Sequence, residues 1–255
     1  MDGVLYTGDR PIEGAAKAVK CLRGTGKKLV FATNNSASSR ADYVRKLSRI
    51  GIAVEESEVL NSGHATAIYL KRRCPRARVY SIGEEGLRQE LELAGITVLP
   101  QMKSKGATHV VVGLDRKLSY KKIDEGLQAL FAGADFVATN PDPTYPTEKG
   151  QSPGAGATIG ALAGCYGKKP SAVLGKPNTA MIELALKVMG TRPRNTAMVG
   201  DRIDADVAAG KKLGMRTVLL LSGIATARDV ARVHGTKLAP DFVFGSLAEA
   251  VCCRR

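Results

Sequence analysis

Strand-like and helix-like segments alternate along almost the whole chain, and this order limits the fold more than any other feature. KKLVFATNN (27–35) is a short apolar run that ends in polar residues. SSRADYVRKLSRIG (38–51) places Tyr43, Val44, Leu47 and Ile50 at helical spacing, with Ser38 or Ser39 to cap it and Gly51 to end it. ARVYSIG (77–83) is strand-like, and EEGLRQELELAG (84–95) is helical, with early acids that suit the helix dipole. THVVVGLD, SYKKIDEGLQALFAGA, DFVATN, SAVLGKPN, TAMIELALKVMG, NTAMVGD and MRTVLLLSG continue the order to residue 223. Such alternation predicts a doubly wound α/β fold: a mainly parallel sheet with helices on both faces.

Composition agrees with a packed protein of this kind. Of the 255 residues 44% are hydrophobic and 28 are glycine, which argues against disorder. VLLLSGIA (218–225) is far too short to span a membrane, and no basic leader precedes an apolar run at the N-terminus. The five cysteines form no C-x-x-C pair, so a reducing, cytoplasmic setting is the default expectation. The net charge of +14 is densest at KRRCPRAR, with Lys71, Arg72, Arg73, Arg76 and Arg78. No aromatic residue interleaves that run. It reads as a solvated helix end entering a turn at Pro75, and a nucleic-acid partner is not expected.

In parallel sheets, ligands sit beyond the carboxyl ends of the strands. Thr33-Asn34-Asn35, Gly175-Lys176-Pro177-Asn178 and Gly200-Asp201-Arg202 with Asp204 and Asp206 all follow apolar runs. Together they suit a phosphate monoester. Lys176 supplies fixed positive charge, Thr33 a hydroxyl and Asn34 a backbone donor. Asp201 suits Mg²⁺, a hard cation that takes oxygen ligands and keeps several waters. Each piece also has a plainer reading: a turn residue, a solvated lysine, acids that cap a helix.

DGVLYTG, ATNNS, GKPN and GDRIDAD occur in that order, with ATNPDPTYP and SPGAG between the second and third. In this the chain resembles the haloacid dehalogenase superfamily of phosphatases, within it the 4-nitrophenylphosphatase, pyridoxal phosphatase and phosphoglycolate phosphatase group. The likeness runs from residue 1 to about residue 245. It implies a Rossmann-like core of residues 1–75 and 171–255 and an inserted α/β cap of residues 76–170. It also implies Mg²⁺-dependent hydrolysis of small phosphate monoesters through an aspartyl-phosphate. Asp2 then corresponds to the general acid/base, with its backbone carbonyl on the metal. Thr33 and Asn34 correspond to phosphate-binding residues and Lys176 to the motif lysine. Asp201 matches the main metal carboxylate and Asp206 its supporting acid. Asn35, Asn140, Asp142 and Tyr145 fall where relatives contact the substrate or shape its loop. The homodimeric state and the identity of the substrate are left open.

One departure stands out. The family's first motif is Asp-x-Asp-Gly, and here Met1 fills the x position, so the nucleophile position falls before residue 1. Two expectations follow: a polypeptide that starts upstream, or a paralogue that binds phosphate ligands without catalysis. A free amino group on Met1 would favour the ionised form of Asp2.

Overall fold

The structure is a computed structural model that describes residues 1–147 and 150–252. Strands and helices follow the expected alternation. Local chemistry fixes many of the helix starts. Ser39 and Asp42 form a reciprocal capping box on the helix Arg40–Arg49. Asn61 caps Ser62–Arg73 and Ser119 caps Tyr120–Phe131. Lys71, Arg72 and Arg73 lie in the last turn of Ser62–Arg73, where cations complement the exposed carbonyls.

Among the described residues the parallel strands form three sheets. One has five strands in the order Ala172–Val173, Asp135–Ala138, His109–Val112, Arg78–Ile82 and Thr97–Val98. The second runs Ala197–Gly200, Arg216–Leu220, Phe242–Phe244, and the third pairs Phe31–Thr33 with Val59–Asn61. The strand expected across 27–35 is thus only three residues long, because its ladder extends only as far as the short partner Val59–Asn61.

Side chains alternate across these strands, so each sheet buries both faces. Phe31 packs with Val59, Leu220 and Tyr43 and Leu47 of the Arg40–Arg49 helix on one face. Ala32 packs on the other face with Leu60, Met198, and Met181 and Ile182 of the helix Ala180–Met189. Both clusters therefore join the second and third sheets into one doubly wound layer. The second cluster continues into Val79, Val111 and Val137 of the five-stranded sheet. Tyr80, Val110 and Phe136 point to that sheet's opposite face, against Leu130 and Leu162 of the helices Tyr120–Phe131 and Ala155–Tyr166.

A buried ionic cluster ties the helix Glu85–Leu93 to this layer. Glu90 is 1% exposed and accepts from the Arg40 backbone N–H at 2.6 Å and from Arg40 Nε at 3.0 Å, with His64 Nδ1 at 3.3 Å. Burial works against the charged carboxylate, but the contacts from His64 and Arg40 outweigh it and hold the pKa low. Glu90→Ala is expected to cost about 1–3 kcal/mol at neutral pH, since it leaves the Arg40 backbone N–H without its acceptor and Arg40 with Glu56 as its remaining ion-pair partner. A depressed carboxylate contributes stability above its unfolded pKa, about 4.3, and loses it as pH falls through the folded value. The wild-type advantage in urea melts should therefore be full at pH 7 and shrink below about pH 4. An advantage unchanged at pH 3 would show that the cluster acts by packing alone.

Candidate active site

The loops after the strands Phe31–Thr33, Ala172–Val173, Ala197–Gly200 and Arg216–Leu220 open into one cavity of about 710 Å³. Asp2, Thr33, Asn34, Asn35, Asp142, Tyr145, Lys176, Asp201 and Asp206 all line it. Asn140 does not. It is buried behind the wall, where its Nδ2 donates to Asp142 Oδ2 at 3.0 Å and its Oδ1 accepts from Thr139. Asn140 thus shapes the loop instead of facing the cavity.

Lys176 is buried, and its Nζ donates to Asp206 Oδ1 at 2.6 Å. The backbone around it is clamped by one side chain. Asn34 Oδ1 accepts from Lys176 N–H at 2.8 Å, and Asn34 Nδ2 donates to Lys176 C=O at 2.8 Å. The Asn34 side-chain amide also donates to Asp142 at 3.1 Å, so this side chain builds the site. Thr33 Oγ1 accepts from Asn35 N–H, and Asn35 Oδ1 accepts from Ala37 N–H, which folds the second motif into a tight turn.

Asp206 has both oxygens engaged. Oδ1 takes Lys176, and Oδ2 takes the backbone N–H groups of Asp201 and Arg202 at 3.2 and 3.1 Å. That capture coincides with a turn of π-helix over Ile203–Val207 before the α-helix Ala208–Lys212, a widening often seen at functional sites. Asp201 is different. Its Oδ2 accepts Ile224 N–H at 2.9 Å, while Oδ1 accepts no hydrogen bond from the described residues. The carboxylate lies flat against Gly3 and Gly223: a Cβ on either would come within 2.2 Å of its Oδ2. Only glycine lets the backbone come so near, and Gly3 also sits at φ +69°.

Electrostatics separates these acids. Burial pushes the Asp201 carboxyl up, and Asp206 adds to the rise. Asp206 itself is held low, because Lys176 outweighs its burial. The Asp2 carboxyl is pushed up by burial, with a smaller push from Asp201. The Met1 amine and Lys46 pull the other way, as expected for the amine, but they lose. The amine thus favours the ionised form of Asp2, as expected, but desolvation outweighs it and the net shift is upward. The amine's own pKa is pushed down by burial and by Lys176.

Residues 1–97 match the family model described as haloacid dehalogenase-like hydrolase, and residues 173–250 match a second one described as HAD-hydrolase-like. The chain belongs to the haloacid dehalogenase-like hydrolases. It is 38% identical over 271 residues to the chloroplastic phosphoglycolate phosphatase 1A of Arabidopsis thaliana, covering 97% of this chain and 74% of the relative. A p-nitrophenyl phosphatase from Archaeoglobus fulgidus superposes with a TM-score of 0.91 at 40% identity, covering 98% and 95% of the two chains. A glycerol phosphate phosphatase from Mycobacterium tuberculosis, solved in complex with magnesium, superposes with a TM-score of 0.88 at 29% identity, covering 97% and 73%.

Of two further lining residues, Arg116 escaped the sequence reading and Arg202 was placed at the sheet edge without a role. Arg202 binds Asp204 at 2.7 Å and lies 3.8 Å from Asp142. Arg116 follows the strand His109–Val112 and is forked onto Glu84. Both stand just past the carboxyl end of an apolar run, so the rule that found Lys176 also reaches them.

Proposed function

We propose that this hydrolase is a Mg²⁺-dependent phosphatase that cleaves small phosphate monoesters through an aspartyl-phosphate. The observation that carries the reading is the floor of the cavity, where buried Lys176 faces a depressed Asp206 beside raised Asp201 and Asp2. Phosphatases among its relatives, matched over nearly the whole chain, support it.

The donor set fits Mg²⁺. Among the described residues no group of three or more His, Cys, Asp or Glu could hold a metal. Mg²⁺ suits a site that offers one or two carboxylates and leaves the other positions to water and phosphate. Asp201 Oδ1 and the Asp2 carbonyl would hold it, while Asp206, fully engaged, positions Lys176 and the 201–202 backbone. When bound, the ion would neutralise phosphoryl charge. The magnesium complex of the mycobacterial relative supports the choice.

The protein's own steps follow from its acids. The attacking carboxylate would be that of an aspartate joined to Met1 N, a nitrogen that lies buried within electrostatic reach of Lys176, Asp206 and Asp201. Asp2, protonated more readily than an ordinary carboxyl, gives its proton to the leaving alcohol. It then takes a proton from the water that hydrolyses the aspartyl-phosphate. Residues 76–170 act as the cap, with Asp142 and Tyr145 closing over the ligand. Among the described residues no helix is long and apolar enough to cross a membrane; a cytoplasmic setting is proposed from the cysteines alone.

Asp201→Ala is expected to abolish the rise in Tm that Mg²⁺ gives the wild type, and to abolish Mg²⁺-dependent phosphate release from 4-nitrophenyl phosphate. Asp206→Ala should weaken release less. Activity equal in EDTA and in Mg²⁺ would overturn the metal's role.

A further inference from the structure

Two arginines of the basic run at 71–78 line a second cavity, of about 620 Å³, which shares no lining residue with the first. It is a groove between the helices Ser62–Arg73 and Ala180–Met189. Helical spacing puts Ile68 and Arg72, Tyr69 and Arg73, and Leu184 and Lys187 on the faces that meet there. Both helices start beside the first cavity: the Ser62 hydroxyl donates to Asn34 C=O, and Ala180 follows Lys176 closely in the chain. Their last turns carry Arg72, Arg73 and Lys187, so the cations gather at the far end. From Ser62 to Arg73 the helix rises roughly 16 Å, too far for these cations to hold the other end of a small substrate.

The groove joins two unlike surfaces. Ile68, Tyr69 and Leu184 are half-buried and form an apolar base. Arg72, Arg73 and Lys187 are exposed and make no ion pair among the described residues. Arg73 instead lies over the Tyr69 ring, 5.4 Å from its centre. One acid lines the groove, Glu183, and its Oε1 is taken by the Thr179 hydroxyl at 2.7 Å. A concave wall with three cations and one engaged acid concentrates anions. Its size is that of a small-molecule pocket.

We propose that this groove binds a small anion built on an apolar ring, with the ring on Ile68, Tyr69 and Leu184 and the anionic group between Arg72 and Lys187. A neutral ring would leave the cations solvated, and a ringless anion would leave the apolar base wet. Only the two together gain both burial and charge-assisted hydrogen bonds. The plainer alternative is that these cations complement the last carbonyls of their helices and face solvent. That alternative gives no preference for a ring-bearing anion.

The test is binding of naphthalene-2-sulfonate to the 255-residue chain, beside its uncharged sulfonamide and the ringless methanesulfonate, by calorimetry. The naphthalenesulfonate should bind tightest, about fivefold tighter than the sulfonamide, the upper range for one exposed ion pair. Arg72→Gln with Lys187→Gln should remove that margin, and Leu184→Glu should abolish binding. Thermal melts check that each variant is folded. Inorganic phosphate with Mg²⁺ should not displace the probe. Equal affinities for the three probes, failure of the naphthalenesulfonate to bind, a margin that survives the double variant, or displacement by phosphate would each overturn the proposal. None of these results touches the phosphatase reading, which rests on the other cavity.

Discussion

Lys176→Ala, made in a chain that carries an aspartate before Met1, is expected to lower kcat/KM on 4-nitrophenyl phosphate by about 10²–10³-fold, the usual loss when one preorganised electrostatic donor is removed. The lysine is buried and sits 2.6 Å from Asp206, so its charge acts with little screening. The same burial makes the variant unstable. Removing one partner leaves Asp206 charged and dry, at a cost of about 3–5 kcal/mol. Asp206 is held low by Lys176, so its contribution is full above the unfolded pKa, about 3.9, and is lost as pH falls through the folded value. Loss of activity could then be mistaken for loss of fold. Lys176→Ala with Asp206→Asn separates the two. The double variant should recover most of the stability and none of the activity. Lys176→Arg should not restore turnover, because the guanidinium is larger and shaped for planar contacts. Full activity in the arginine variant would reduce Lys176 to a loop residue.

The order of elements was legible because periodicity reports burial, and burial was what the helices and strands had in common. Tyr43 and Leu47 announced the buried face of their helix, and Ser38 or Ser39 announced its start, of which Ser39 is the cap. The residues past strand ends were legible for the same reason: a polar cluster after an apolar run has few places to go but a sheet edge. Spacing could not say which polar atom does what. Asn34 was read for its backbone donor alone, and the clamp its side chain makes on the Lys176 backbone was not legible. Asp206 was read as an acid supporting Asp201, but that its oxygens hold Lys176 and the 201–202 backbone was not legible. Arg116 was invisible because its meaning depends on Glu84, 32 residues away, and on a cavity that only the tertiary structure forms. The pull of the amine on Asp2 was legible, because a neighbouring charge can be read from sequence, but the larger opposing effect of desolvation was not.

The largest effect is expected from extending the chain. Residues 1–255 preceded by a parallel strand that ends in aspartate should release phosphate on the order of 10⁶-fold faster than residues 1–255 alone, the scale of losing a covalent nucleophile in another enzyme class. Met1 N lies among the charges of Lys176, Asp206 and Asp201, so a carboxylate on the preceding residue enters the floor of the cavity. Asp2 cannot replace it, because it cannot attack phosphorus and protonate the leaving oxygen in one step. On the proposed reading Asp201 is committed to the metal, and Asp206 is engaged by Lys176. The strand itself also has a place to pair. Among the described residues Phe31–Thr33 pairs only with Val59–Asn61, and Ala197–Gly200 only with Arg216–Leu220. The two apolar clusters nevertheless run across both sheets. A strand laid between those two edges would satisfy backbone groups that cost about 1–3 kcal/mol each when dry and unpaired. Extension should therefore raise Tm together with activity, and extension ending in asparagine should raise Tm alone. The paired assay is kcat/KM on 4-nitrophenyl phosphate with Mg²⁺, beside thermal melts of all three chains. Comparable kcat/KM with and without the upstream aspartate would defeat the assignment of Asp2 as the acid/base half of a two-carboxylate motif.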